Sequence, residues 1–458
     1  MGQLSAVILA AGEGKRMHSK HAKVLHQVCG RPMVDWVLQA AQGAGADKRI
    51  VVVRHGRQEL QAHLQDRVQY AVQEQQLGTG HAVLQAKELL YNQTGTVLVL
   101  VGDTPMLTAQ TLQKAYAFHC NEQASATVLA ATVEQPYGYG RVICRQGLVD
   151  KIVEEKDASE QERKVNLVNA GMYFFNCQDL FTALTQVGKA NAQGEYYLTD
   201  VCAILKNMAK QVVCYKVENA EEIQGVNDRA QLAEAEKAMN RRTIARLQRE
   251  GVTVIDPEHT YIEPNVKIGM DTVVYPGCYL IGATVIGEDC VIGPQTNLSN
   301  MVVGERVILK YTVGMDSEIG SDTTVGPFAY IRPNSKIGAR VKIGDFVEIK
   351  NSTIDAGTKV SHLTYVGDSD VGAGVNFGCG TVTVNYDGTH KYRTTIGDKA
   401  FIGCNTNLVA PVTVAPEAFI AAGSTITEDI PDDCLAIARA RQTNIKGWVS
   451  KRKEKNSK

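Results

Sequence analysis

The chain has 458 residues, 44% hydrophobic and 21% charged, the balance of a soluble globular protein with room for two or three domains. A net charge of −1 excludes an overall basic field that would draw it to nucleic acid or to a membrane surface. Eleven cysteines at scattered spacings, with no CxxC pair, argue against a disulfide framework and a structural zinc site and fit a reducing compartment. The N-terminal apolar run Ala6–Ala11 is too short for a signal peptide, and no segment reaches the ~20 apolar residues of a membrane helix. A soluble cytoplasmic protein is expected. The basic cluster Lys451, Arg452, Lys453, Lys455 and Lys458 reads as a frayed, solvated end.

Residues 1–227 alternate short apolar runs with amphipathic segments. Ala6–Ala10, Ile50–Val53 and Val97–Val101 read as buried strands, and Met33–Gln42 and His81–Leu90 as helices. This alternation predicts an α/β, Rossmann-like domain with a mostly parallel sheet covered on both faces. Residues 228–250 have no strand signal. Leu232, Ala235, Met239 and Leu247 fall near helical spacing and Gly251 follows as a stop, so a linker helix is expected.

Residues 251–458 carry a different period. Ile262, Ile268, Val274, Leu280, Ile286, Ile292 and Leu298 recur at every sixth residue. Val313, Ile319, Val325, Ile331, Ile337, Ile343 and Ile349 do the same, as do Ile396, Ile402, Leu408, Val414, Ile420 and Ile426. Neither a helix nor an ordinary strand has period six, whereas a left-handed parallel β-helix of hexapeptide repeats does. Each hexapeptide is one flat side of a triangular coil, with its aliphatic residue in the narrow core. The period breaks between about 384 and 395, so that polar stretch is expected to leave the prism as a loop of the kind that commonly carries function.

The first strand runs into Ala10-Ala11-Gly12-Glu13-Gly14-Lys15-Arg16-Met17. Glycines at a strand's C-terminal end let backbone N–H groups approach phosphate, and Lys15 and Arg16 add charge. The Walker pattern is not met, since no Ser or Thr follows Lys15, and Met17 stands where a dinucleotide fingerprint needs its third glycine. Alone, the segment is a phosphate-binding turn or an ordinary tight turn.

Its continuation is more specific. Leu9-Ala10-Ala11-Gly12-x-Gly14-x-Arg16-Met17, followed by Lys23-Val24-Leu25, closely resembles the signature of sugar-nucleotide pyrophosphorylases. Gln75-Gln76-Leu77-Gly78-Thr79-Gly80-His81-Ala82 is similar to that family's base- and sugar-binding loop, and Gly102-Asp103 stands where it places a metal-binding aspartate. Tyr139-Gly140-Arg141, Glu154, Asn169-Ala170-Gly171 and Gly225-Val226-Asn227 stand where it holds the sugar and the second metal ligand. With the period-six region, the resemblance spans nearly the whole chain and is to the bifunctional N-acetylglucosamine-1-phosphate uridyltransferase / glucosamine-1-phosphate acetyltransferase family. It implies acetylation of glucosamine-1-phosphate by acetyl-CoA, then UMP transfer from UTP with release of pyrophosphate, feeding peptidoglycan and, where made, lipopolysaccharide.

Residue roles follow from the resemblance. Leu9, Ala10, Ala11, Gly12, Gly14, Lys23, Gln73, Gly78, Thr79, Gly102, Gly140, Glu154, Asn169 and Asn227 would hold UTP and the nucleotide-sugar product. Gln73 or Gln76 could read uracil through amide hydrogen bonds, and motif alignment favours Gln73. Two anionic reactants meet, so positioning and charge neutralisation dominate. Arg16 and Lys23 would neutralise pyrophosphate, and Asp103 and Asn227 offer the hard oxygens that Mg²⁺ prefers. Glu154, in Glu154-Glu155-Lys156-Asp157, and Asn169 would otherwise read as a solvated charge and a loop amide.

In the rear region the resemblance makes His362 the general base of acetyl transfer and Glu348 the group that orients and polarises it. A histidine can take the proton of an amine that is ammonium at neutral pH. Arg332, Lys350, Tyr365, Asn376 and Lys391 match positions that hold the amino-sugar phosphate, where fixed cations suit a dianion. Cys379, Asn385, Tyr386, Cys404, Ala422 and Arg439 match the acetyl-CoA region. The family commonly has alanine at Cys379 and serine at Cys404, and a thiol is the weaker donor. A homotrimer with acetyltransferase sites at subunit boundaries is implied, with small-molecule substrates and neither nucleic acid nor membrane as partner. Two rivals are a nucleotidylyltransferase with a regulatory β-helix, which would not need His362, Glu348 or the Asn385–Arg393 loop, and a non-catalytic scaffold, which would have lost Arg16, Asp103, Asn227 or His362.

Overall fold

The structure, a computed structural model, describes residues 3–54, 57–90 and 94–456. It divides into two compact units, one up to Met239 and one from Asn240 onward. The division falls inside the linker helix, Arg229–Arg249. Ala235 and Met239 of this helix pack with Val28 and Met33 in the first unit, whereas Ile244 and Leu247 belong to the core of the second.

The first unit is built on a sheet of nine strands among the described residues. In chain order these are β1 (Leu4–Ala10), β2 (Lys48–Val53), β3 (Gln69–Val72), β4 (Thr96–Val101), β5 (Ala126–Thr132), β6 (Arg141–Arg145), β7 (Leu148–Val153), β8 (Leu167–Asn176) and β9 (Val212–Lys216). They lie in the order β3-β2-β1-β4-β8-β5-β9-β7-β6. Strands β3, β2, β1 and β4 are parallel. β8 runs antiparallel to β4 and β5, and β6–β7 is a hairpin. Alternate residues of β1 serve opposite cores: Ala6 and Ile8 pack with Val34 and Leu38 of the helix Met33–Gly43, and Val7 with Val99, Leu180 and Val201. Coverage of both faces explains why the sequence shows unbroken apolar runs rather than alternation. The segment read as one helix over His81–Leu90 is a short helix, Thr79–Leu84, and a separate 3₁₀ turn, Glu88–Leu90.

The second unit is the expected left-handed β-helix. Each coil gives one short strand to each of three parallel sheets, of eleven, ten and nine strands among the described residues. The aliphatic residues at period six point inward, with Ile292, Leu298, Ile331, Ile349, Ile402 and Leu408 fully buried. Val313 does not: it is 39% exposed, and Gly314 stands in register with Leu298 in its place. The inward positions here are Leu298, Val303, Leu309, Gly314 and Ile319, so some sides of the prism are one residue short. A five-residue side shifts the frame while the coil still closes, and counting in sixes back from Ile319 lands one residue early.

One corner of the prism is left-handed in coil after coil. Tyr311, Phe328, Phe346, Leu363, Gly380, Asn405 and Gly423 all have positive φ. Tyr311, Phe328, Leu363, Gly380, Asn405 and Gly423 are each joined to the preceding coil by a backbone hydrogen bond, as from Leu363 N to Asp345 O (3.0 Å), Asn405 N to Cys379 O (2.7 Å) and Gly423 N to Cys404 O (2.7 Å). The polar insertion leaves the prism after Val384 and returns at Thr394, closed by a bridge between Tyr386 and Lys391. Arg393 anchors it through paired contacts with Asp370 (Nε–Oδ2 2.8 Å, Nη2–Oδ1 2.5 Å). The basic tail forms an exposed helix, Trp448–Asn456, with Arg452 over the Trp448 ring; Lys458 lies outside the described residues.

The shifted frame has a mutational signature. Ile331→Ala should destabilise the protein by about 2–5 kcal/mol, whereas Val313→Ala should stay within about 0.5 kcal/mol of the parent. Thermal unfolding of the two variants, compared by Tm, measures the difference.

Candidate active sites

In the first unit two clefts meet at Asp103. The first, of about 380 Å³, is lined by Leu9, Ala10, Ala11 and Gly12 from the end of β1, with Lys23, Gln73, Gln76, Gly78, Thr79 and Asp103. The second, of about 510 Å³, is lined by Arg16, Asp103, Gly140, Glu154, Asn169, Gly171 and Asn227, among others. Asp103 is placed by the end of β4, and its carbonyl accepts the Val226 N–H at 2.9 Å, which brings Gly225–Asn227 alongside. Lys23 Nζ then donates to Asp103 Oδ2 at 2.5 Å and to Asn227 Oδ1 at 2.8 Å. A carboxylate and an amide oxygen thus converge on one cation.

Two glycines are required by close approach. A Cβ on Gly14 (φ +65) would lie 2.7 Å from Lys23 Cβ, and one on Gly78 (φ +112) would lie 2.6 Å from Tyr196 O. Gly102 donates its N–H to Leu9 O at 2.9 Å, tying the turn after β4 to the end of β1. The Gln73 amide nitrogen donates to Gly78 O (3.2 Å) and approaches His81 Nδ1 (3.1 Å), while Gln76 donates to Ala11 O (2.7 Å). Burial pushes the Glu154 carboxyl up, against a hydrogen bond from Thr199 and with repulsion from Asp157 and Asp200. Asn169 lines the cleft, yet its amide is engaged by Tyr173 Oη (2.7 Å) and Gly171 N (3.0 Å), and its N–H donates to Gly140 O (2.8 Å). Its visible work is to hold both glycines at the rim. Glu195 and Tyr196 carry no motif that marks them: Glu195 lines the first cleft, and Tyr196 O accepts the Gly80 N–H.

In the second unit the expected acetyl-transfer residues fall on two neighbouring sides of the prism. On one, Asp345, His362, Cys379, Cys404 and Ala422 each immediately precede the left-handed corner residue of successive coils. They form one column. Arg439 Cδ lies 3.8 Å from where a Cβ on Gly423 would stand, at the end of that column. Asn376 sits on the same side in register with Lys359 and Phe401. Around the corner, Tyr330, Glu348 and Tyr365 stack in register.

The expected pairing of Glu348 with His362 is not what the structure shows. His362 Nδ1 is 2.6 Å from Asp345 Oδ1, its register partner in the coil below. Glu348 instead accepts from Arg332 Nη1 at 2.8 Å. The reason is topological: Glu348 lies beyond the corner at Phe346, on the next side of the prism, whereas Asp345 lies directly under His362.

A carboxylate that the sequence reading did not single out organises the cation side. Asp368, 5% exposed, accepts from Lys350 Nζ (3.1 Å), Asn351 Nδ2 (2.6 Å) and Asn385 Nδ2, and Asn385 also reaches Tyr365 Oη (3.3 Å). Burial opposes its ionisation, but these hydrogen bonds outweigh that and hold it below the usual carboxylate value. Lys391 is pulled below the ordinary lysine value by Lys350 beside it, with Arg332 adding repulsion. Three cations therefore face one place with a single buried carboxylate between them. Tyr386, exposed at 56%, is turned onto its own loop through a hydrogen bond to Gly388 O.

Residues 5–221 match the nucleotidyl transferase family, and residues 265–300 and 316–351 match the bacterial transferase hexapeptide (six repeats) family. The chain is 52% identical to the bifunctional protein GlmU of Halalkalibacterium halodurans, over 99% of this chain and 100% of that protein. It is 53% identical to its counterpart in a Geobacillus species, covering 97% of each, and 54% identical to that of Caldanaerobacter subterraneus, covering 99% of each. The chain thus belongs to the bifunctional GlmU family, a uridylyltransferase joined to an acetyltransferase in the synthesis of UDP-N-acetylglucosamine.

Proposed function

We propose that the clefts at Asp103 carry out uridylyl transfer and the column at His362 carries out acetyl transfer, with acetylation first. UTP takes the cleft lined by Leu9–Gly12, with Gln73 at the uracil edge, and N-acetylglucosamine-1-phosphate takes the cleft of Gly140, Glu154 and Asn169. A phosphate oxygen of the sugar attacks the α-phosphorus of UTP, the bond from that phosphorus to its bridging oxygen breaks, and pyrophosphate leaves. Arg16 and Lys23 neutralise the charge that builds on it. Asp103 and Asn227 would hold Mg²⁺, which when bound supplies further neutralisation of phosphate charge. The donor set fits, because the two oxygens already share one cation, Lys23 Nζ.

In the second unit, His362 removes a proton from the amino sugar, the nitrogen forms a bond to the thioester carbonyl, and the C–S bond breaks. The nitrogen gives up its second proton and coenzyme A leaves as the thiol. The observation that carries this reading is the single column from His362 to Ala422 and Arg439, flanked by the Arg332, Lys350 and Lys391 cations that suit a sugar phosphate. Acetyl-CoA lies along that column, past Cys379 and Cys404. The rib of Tyr311, Phe328, Phe346 and Leu363, between 37% and 58% exposed with ring centroids 5.3 and 5.4 Å apart along the first three, supports a homotrimer that covers it. A cytoplasmic location goes with the small-molecule substrates of this reading; separately, among the described residues no helix is long and apolar enough to cross a membrane.

A mixed assay with glucosamine-1-phosphate, acetyl-CoA, UTP and Mg²⁺, following free thiol and pyrophosphate separately, tests the assignment. Pyrophosphate release should depend on acetyl-CoA. His362→Ala should abolish thiol release and leave uridylyl transfer to added N-acetylglucosamine-1-phosphate intact, and Asp103→Ala should do the reverse. Loss of both activities in either folded variant would sink the two-site reading.

The depressed pKa of Asp368 sets a further expectation. Its stabilising contribution is present above the unfolded value of 3.8 and is lost as pH falls through the lower folded value. Asp368→Asn should therefore flatten the acid side of the stability–pH curve and raise KM for glucosamine-1-phosphate about tenfold. Thermal melts from pH 3 to 7 and acetyl-transfer kinetics measure the two effects.

A further inference from the structure

We infer that Asp345 is the residue that positions the His362 imidazole for acetyl transfer. The inference rests on the reading of His362 as the base. Asp345 ends the strand Lys342–Asp345 and His362 ends the strand Lys359–His362, and the two are opposite each other in a parallel pair. Immediately after each, the chain turns through a left-handed residue, Phe346 and Leu363, and Leu363 N donates to Asp345 O at 3.0 Å. The backbone therefore sets the two side chains one above the other, and the carboxylate needs no long reach to meet the ring.

The contact has a chemical consequence. A carboxylate accepts, so the ring nitrogen facing it, Nδ1, carries the hydrogen. That choice of tautomer leaves the lone pair on Nε2, the nitrogen away from Asp345, and His362 is exposed enough for Nε2 to meet an amine from solvent. Without the carboxylate the ring is free to place its hydrogen on either nitrogen and to rotate about its side-chain bonds. Hydrogen bonding to His362 holds the Asp345 carboxyl below its usual value, which keeps it an acceptor. Glu348 does not take this part within the chain: it lies around the corner, where its Oε1 accepts from Arg332 Nη1 at 2.8 Å.

The test compares Asp345→Asn, Asp345→Ala and Asp345→Glu in the full-length enzyme, with His362→Ala as reference. An asparagine amide can donate to Nδ1, which forces the hydrogen onto Nε2 and removes the lone pair; alanine only releases the ring. Asp345→Asn should lower kcat for acetyl transfer by about 100-fold or more, Asp345→Ala should lower it less, and Asp345→Glu should restore part of it. KM for acetyl-CoA and for the amino sugar, and uridylyl transfer, should stay near parent values. A packing role alone gives the opposite order, alanine at least as harmful as asparagine with KM raised, and that result overturns the inference. So does parent-like kcat in all three variants while His362→Ala is inactive. If His362→Ala itself retains acetyl transfer, the reading of the base fails first, and the inference with it.

Discussion

The second unit depends on one constraint: every coil must donate its backbone N–H groups to the coil beside it. In a parallel stack this fixes which residues share a column, because a side chain cannot shift along its strand without breaking the ladder. Residues far apart in sequence then meet at the coil spacing of ~4.8 Å. His362, Cys379, Cys404 and Ala422 become neighbours in this way, although an insertion interrupts the chain between the second and third. The insertion leaves the column intact because Val384 and Thr394 bring the chain out of and back into the prism on adjacent sides, and because Arg393 pins it to Asp370.

The first unit is held by a different device, a shared cation. Asp103 comes from the end of a central strand and Asn227 from the far end of the unit, and they are joined by the Val226–Asp103 backbone bond and the Lys23 ammonium. A carboxylate this close to an ammonium in a partly enclosed cleft interacts far more strongly than the same pair in water. One glycine serves that contact: a Cβ on Gly14 would crowd the Lys23 Cβ, so Gly14 leaves room for the lysine beside it. The turn after β1, the turn after β4 and the Asn227 segment are thus parts of one arrangement rather than three motifs.

Much of this was legible in the sequence, and the failures share a cause. Period six identifies the prism because each side buries one aliphatic residue, yet it misplaces Val313, since a side one residue short closes as well as a full one and leaves no mark in composition. The resemblance to the pyrophosphorylase signature singles out Asp103, Lys23 and Asn227, and the structure brings these three together at one ammonium. The resemblance cannot find Asp368, which reads as an ordinary turn aspartate until Lys350, Asn351 and Asn385 are seen around it. Likewise Glu348 and Asp345 are equally plausible partners for His362 by distance along the chain. Only the position of the corner between them, at Phe346, puts one under the ring and the other on the next side, paired with Arg332.

That corner also divides the surface of the prism. A left-handed residue other than glycine costs energy, and the prism accepts this cost with bulky side chains at Tyr311, Phe328, Phe346 and Leu363. Beyond Leu363 the same position holds Gly380, Asn405 and Gly423, and the apolar rib stops. The change falls at His362. Below it, the rings protrude as an exposed apolar rib; above it, Gly380, Asn405 and Gly423 leave the adjoining column of Cys379, Cys404 and Ala422 without such a rib beside it. A single position in the coil, filled with large residues and then with small ones, separates an exposed apolar rib from the open column of Cys379, Cys404 and Ala422, with His362 where the two meet.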